Sequence, residues 1–291
     1  ANGRSANFDQ SHGIGNAKWL AVAEVGGYAR NKGDVIYSAT PLDKNLFNTL
    51  LADLVRVVDE AKWDDKSSRF IAEQQSRIGA VVLETKKREP NAEMKRNALL
   101  KLVRQKGLRM LPWTEDCHQF RGRMMLIKSI SDHDWPDLSD NGLLTDLDTW
   151  LGSYLDPIKH INGFKKLDLL QILRSLFTYQ QLSQMEELAP ERLSVPSGSK
   201  IKIDYREAPP VLAVKLQEMF GVTQTPTIAN GSVELLVHLL SPAGRPLQVT
   251  QDIAGFWRNT YVEVKKEMKG RYPKHSWPDD PLTAIPTPKT R

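Results

Sequence analysis

The chain has 291 residues, 40% hydrophobic and 26% charged, which is the composition of a globular protein with apolar material for more than one core. No run of about 18 apolar residues occurs, so a membrane-spanning helix is excluded. Cys117 is the single cysteine, which excludes an intrachain disulfide, argues against structural zinc and suits a reducing, cytoplasmic setting. The start, Ala1-Asn2-Gly3-Arg4-Ser5, has neither an initiator Met nor a signal-peptide core, so the chain reads as already cut at its front.

The net charge of +5 is unevenly spread. Residues 1–65 carry 7 basic and 9 acidic side chains, 66–109 carry 12 and 4, 110–199 carry 8 and 13, and 200–291 carry 13 and 9. Two basic blocks thus flank an acidic middle, and counterion release would draw a polyanion to the blocks. Solvated charged faces are the plain alternative.

From Trp19 to Lys87 the texture is short and strand-like: Trp19 to Val25, the turn Gly26-Gly27, then Asp34 to Ala39. A helical or mixed stretch over Leu42 to Val58 leads to Trp63 and the turn Asp64 to Ser68. Arg69 to Arg77 and Ile78 to Lys87 read as a strand pair with Gly79 as a bulge. About five short strands and a helix suit a small OB-like β-barrel over residues 1–89.

Helical period then takes over across residues 90–190. Asn91 to Lys106 sets Met94, Ala98, Leu99, Leu102 and Val103 on one face with Gly107 as C-cap, and Thr114 opens a helix carrying Phe120, Met124, Ile127 and Ile130. Asp140 to Trp150 and Phe164 to Leu182 make two more, giving a helical subdomain. Residues 191–276 read as a compact α+β unit: the turn Val195 to Ser199, a strand over Lys200 to Tyr205, a short helix over Val211 to Phe220, strands over Val233 to Leu240 and Leu247 to Thr250, then a helix capped by Asp252. Its stripe is Ile253, Phe256, Trp257, Val264 and Met268. Residues 277–291 form a proline-rich tail that cannot continue a helix. The fold class is α+β multidomain.

A phosphate-binding loop needs Gly-Lys-Ser or Gly-Lys-Thr, and none occurs; nor does Asp-Glu-x-His. Gly13-Ile14-Gly15 lacks its third glycine, Asp132-His133-Asp134 lacks a second histidine at ligand spacing, and Cys117-His118 point about 100° apart on a helix. Ser197-Gly198-Ser199 reads as a turn without a nucleophile elbow, and Asp279-Asp280 sit in the tail. Catalytic and metal-binding residues are therefore not assigned. Val264 to Pro278 interleaves cations with aromatics, as single-stranded nucleic acid requires, although Tyr272 and Trp277 folding back as core, their path set by Pro273 and Pro278, is the favoured reading.

Long runs carry a resemblance. Ser241 to Trp257, Gly270 to His275 with Trp277-Pro278, Val195 to Ser199 before Asp204-Tyr205, Pro210 to Glu218, Leu111 to Glu115 and Asp134 to Ser139 closely resemble the C-terminal signature of HrpB-type DEAH-box helicases. The resemblance implies an OB-like domain and a family-specific extension that follow two RecA-like motor domains, a winged helix and a helical bundle. ATP and magnesium are implied for that upstream motor only, with no cofactor in this chain, and the fragment alone is expected to be inactive. Single-stranded RNA is the implied partner, with Arg69, Arg77, Lys86, Lys87, Arg88, Lys95 and Lys101, then Lys265, Arg271, Tyr272 and Lys274, as candidate contacts. A protein-docking or bracing platform, suggested by the acidic middle and by Phe256, Trp257 and Trp277, is the alternative.

Overall fold

A computed structural model describes residues 5–8, 14, 17–26, 34–64, 67, 69–131 and 133–289, with the Arg69 side chain outside that set. Gly13, Gly15, Gly27, Asp65, Lys66, Ser68 and Asp132, invoked above, also lie outside the described residues. The chain forms two compact units, one of residues 1–105 and 154–161, the other of 106–153 and 162–291.

In the first unit, β1 (Ala6–Phe8), β2 (Leu20–Gly26) and β3 (Asp34–Pro41) form one sheet in the order β1-β3-β2. Two 3-10 turns at Lys44–Asn48 and Ala52–Leu54 follow, in place of a longer helical stretch. β4 (Arg56–Asp64), β5 (Arg69–Ile78) and β6 (Val81–Arg88) make a second antiparallel sheet, so Val57 and Val58 belong to a strand. No closed barrel exists among the described residues; the two three-stranded sheets do not pair with one another. Gly79 is the hairpin turn between β5 and β6 with φ 59°, where a side chain would be strained, and the register shift falls instead at Ser76/Arg77. Helix α1 (Ala92–Lys106) lays Ala98 against Ala61 and Ala72, with Phe70 and Met94 packed around them.

The second unit holds the larger core. Helix α2 (Glu115–Ile130) starts where Thr114 Oγ1 accepts from the Cys117 amide at 3.3 Å. Its Gly122 is obligatory, because a Cβ there would fall 2.0 Å from the Tyr205 carbonyl oxygen. Asp140 to Trp150 splits into α3 (Asp140–Thr145) and α4 (Leu147–Leu151), and Phe164 to Leu182 breaks into a 3-10 turn, α5 (Leu169–Arg174) and α6 (Tyr179–Leu188). Asp168 and Thr178 start α5 and α6 as side-chain caps, which is why one long helix does not form. Arg123, 3% exposed, pins α2 to the end of α6: Nε donates to Ala189 O at 2.6 Å and Nη1 to Glu191 at 3.3 Å, while Nη2 lies 2.9 Å from Glu186 without an aligned hydrogen bond.

A five-stranded sheet of order β13-β12-β9-β8-β7 follows, from β7 (Arg192–Ser194), β8 (Lys200–Asp204), β9 (Val211–Lys215), β12 (Leu236–Leu240) and β13 (Pro246–Thr250). The expected helix over Val211 to Phe220 is instead the central strand β9 and a 3-10 turn. Val211, Leu212 and Val214 are buried, and β9 pairs in parallel with β12 and antiparallel with β8. Leu235 breaks Val233–Leu240 into β11 (Val233–Glu234), paired with β10 (Thr227–Ile228), and β12. Asp252 caps α7 (Ile253–Gly255), which runs through a π turn into α8 (Tyr261–Arg271). Its core stripe is Ile253, Phe256, Trp257, Tyr261 and Met268, with Tyr261 taking the place expected of Val264. The proline-rich tail wraps back: Gly221 N donates to Pro281 O, and Gln217 Nε2 to the carbonyls of Thr287 and Lys289 at 3.1 and 3.0 Å.

Candidate nucleic-acid interface

Strand alternation divides the cations of the β4-β5-β6 sheet. Register sets Arg77 beside Arg56 and Val82, and Lys87 beside Glu73 and Glu60, on one face. Lys86 beside Asp59 and Gln74, and Arg88 beside Ala61 and Ala72, share the other. Arg88 Nη1 contacts both Asp59 oxygens at 3.0 and 3.1 Å, Lys86 lies 3.7 Å from Glu84, and Lys101 reaches Glu60 at 3.1 Å. Nearby on α1, Arg96 forks onto Asp156 with two bonds of 2.8 Å. Among the described residues Arg77, Lys87 and Lys95 form no ion pair, and Lys86 and Lys87 are exposed. Much of the basic block is thus met by carboxylates from chain segments on either side of it. Arg56, which the sequence reading passed over, doubles the charge next to Arg77; hairpin parity is the signal that finds it. Arg69 opens β5.

The C-terminal cluster is arranged on α8 and the turn after it. Lys265 is ion-paired with Asp279, whose carboxylate that hydrogen bond holds below its ordinary range. Arg271 meets Glu267 at 3.4 Å and Lys274 is exposed. Trp277 Nε1 donates to Tyr272 O at 3.0 Å, and both rings are half-buried, so these aromatics fold back on the unit. Burial and then Lys215 hold the neighbouring His275 imidazole below its ordinary value. Lys266 and Lys269, also passed over, share one helix face with Val262 and Lys265 around a shallow depression of about 290 Å3, the spacing of three and four that a helical reading detects.

The other motifs have local duties. Ser197 Oγ donates to Glu218 Oε2 at 2.8 Å, Cys117 is buried, and His118 stacks on Trp113 at 5.3 Å between centroids. No group of three or more His, Cys, Asp or Glu able to hold a metal occurs among the described residues. No helix among them is long and apolar enough to cross a membrane.

These features define an α+β region of several small sheets and capped helices, basic on one hairpin sheet, in a sequence without a nucleotide-binding loop. Residues 150–281 match the family described as ATP-dependent helicase C-terminal, and residues 54–87, which span β4, β5 and most of β6, match the connector region of ATP-dependent RNA helicase HrpB. ATP-dependent RNA helicase HrpB of Escherichia coli (strain K12) is 38% identical over 294 residues, taking in 100% of this chain and 36% of the relative. Two solved structures agree. That of the E. coli DExH-box NTPase HrpB superposes with a TM-score of 0.73 at 38% identity over 98% of this chain and 36% of the other. That of the Escherichia coli DEAH/RHA helicase HrpB gives 0.64 at 34% identity over 94% and 34%. The chain belongs to the HrpB-type ATP-dependent helicases and corresponds to their C-terminal region, spanning about a third of the length of the curated relative it matches.

Proposed function

We propose that this region gives single-stranded nucleic acid, RNA foremost, a basic track beside an ATP- and magnesium-driven motor formed by RecA-like domains of the same polypeptide, and that it braces those domains. The observation that carries the reading is the set of cations without carboxylate partners, Arg77, Lys87 and Lys95, beside exposed Lys86, on and next to the sheet that matches the helicase connector. Cations spaced along a strand and the following helix suit a flexible phosphate backbone. On this reading the sheets of residues 5–88 fill an OB-like role, holding the strand as it leaves the motor. Bracing is supported by Tyr37, Leu50, Leu54 and Val57, large apolar side chains that stand exposed in the same unit.

The test is binding of a fluorescent decauridylate to the 291-residue chain across about 50 to 200 mM salt, where affinity should fall steeply. Reversing both lysines, Lys86→Glu with Lys87→Glu, should flatten the log–log slope by about 1 to 1.5. Binding that ignores salt, or none at all, contradicts the reading.

A further inference from the structure

The second unit holds an arrangement that neither the charge count nor the family match assigns. An open cavity of about 670 Å3 is walled by Lys106, Arg109, Pro112, Trp113, His118 and Arg121, with Asp140 at its edge. Trp113 is fixed rather than free to turn, because its Nε1 donates to Leu108 O at 2.9 Å. The His118 ring lies within 25° of parallel to the indole, and the Arg121 guanidinium carbon sits 5.4 Å from the indole centroid. Arg121 is itself held by Asp140 at 2.7 Å, and Arg109 Nε donates to Lys106 O at 3.1 Å, which keeps the Arg109 side chain at the mouth. With Arg121 held by Asp140, Arg109 leaves the cavity mouth positive, although it lies where the sequence is acidic overall.

We infer that this cavity takes one unpaired nucleobase of a single strand, stacked on the Trp113, His118 and Arg121 platform, while Arg109 at the mouth meets the adjoining phosphate. The chemistry selects this occupant. The exposed His118 ring, stacked on a rigid and half-buried indole, offers a base an aromatic surface, and Arg109 at the rim matches a phosphate backbone. An acidic peptide would satisfy the charge and leave the aromatic platform unused. The inference deepens the nucleic-acid reading and rests on it for the polymer class, but it uses a separate set of residues in the other unit.

The measurement is anisotropy of labelled decauridylate and of an abasic decamer with the 291-residue chain. Wild type should prefer the oligomer with bases by about tenfold, and Trp113→Ala should erase that preference, as expected for loss of one stacked base. Because Trp113 is half-buried, its variant is checked by thermal melting, and Arg109→Ala at the exposed mouth serves as a second probe. Arg109→Ala should lower the salt slope by about 0.7. Equal binding of both oligomers by wild type, an unaltered preference in a folded Trp113→Ala with an unaltered slope in Arg109→Ala, or decaglutamate competing as well as decauridylate would each overturn the inference. The Lys86→Glu, Lys87→Glu variant separates the two readings. A slope flattened by about 1 to 1.5 with an intact base preference speaks for both; loss of the base preference in Trp113→Ala with an unchanged slope in the lysine variant leaves the cavity standing and removes the hairpin track.

Discussion

Residues 5–90 and residues 106–289 solve the burial problem in opposite ways. Among the described residues of the first stretch only Ala61 and Ala72 are buried apolar side chains, whereas Val22, Val25, Tyr37, Leu50, Leu54 and Val57 stand in solvent. In the second, sheet and helices enclose Leu212, Val237, Leu239, Ile253, Phe256 and Trp257, and even the tail is hydrogen-bonded down. Six strands with two small buried residues gain little from the hydrophobic effect, which scales with apolar area removed from water. The second stretch holds itself together, and the exposed apolar side chains of the first support the bracing proposed above.

Three substitutions test this contrast. The largest effect is expected at Leu239, fully buried in β12: Leu239→Ala should cost about 4 kcal/mol by denaturant unfolding, through lost transfer energy and a cavity in a core that cannot collapse. A cost near 1 kcal/mol would mean that the second core is as loose as the first region. Asp204 comes next. Its carboxylate accepts from Arg206, whose hydrogen bonds hold it far below the usual carboxylate range, and from Gln119 Nε2 at 2.7 Å, while Gln119 Oε1 accepts from Tyr205 N at 2.9 Å. A pKa depressed in the folded state adds stability above the unfolded value of about 3.9 and loses it as pH falls toward the folded one. Asp204→Asn should therefore destabilise by about 2 kcal/mol at neutral pH, with the gap to wild type closing progressively below about pH 4. A gap that is constant with pH would show that the carboxylate's charge is not what matters. The smallest effect belongs to Leu50, 83% exposed: Leu50→Ser should change the chain's stability by less than about 0.5 kcal/mol. In a longer polypeptide that includes the motor domains the same change should cost more than about 1 kcal/mol if bracing holds; equal costs in both settings would sink that role.

Local signals were readable wherever the chemistry is local. Thr114 and Asp252 cap the helices assigned to them, Gly107 and Gly198 take positive φ at a helix end and a turn, and the α1 stripe is buried except for the half-buried Met94. Val211 to Lys215 misled because a short apolar run bounded by prolines and a glycine has the same composition whether it becomes a buried strand or a helix. Its two partner strands, one parallel and drawn from 25 residues further on (Leu236 opposite Val211), decided the matter. The basic block illustrates the same limit for function. Counted along the chain it is strongly positive, but folding brings Asp59 to Arg88, Glu60 to Lys101 and Asp156 to Arg96. The cavity at Trp113 is the reverse case, positive inside an acidic segment, because Arg109 comes from just before it and Asp140 is already held by Arg121.

The sequence by itself determined the α+β class, the caps and turns, the lack of a nucleotide-binding loop and the helicase family, since propensity, turn chemistry and long motif runs are properties of neighbouring residues. Only the tertiary structure decided which cations meet carboxylates, which aromatics become core, and that few apolar side chains among the described residues of the first region are fully buried. Those outcomes depend on pairings between residues tens of positions apart, and burial and Coulomb energy are set by distance in space.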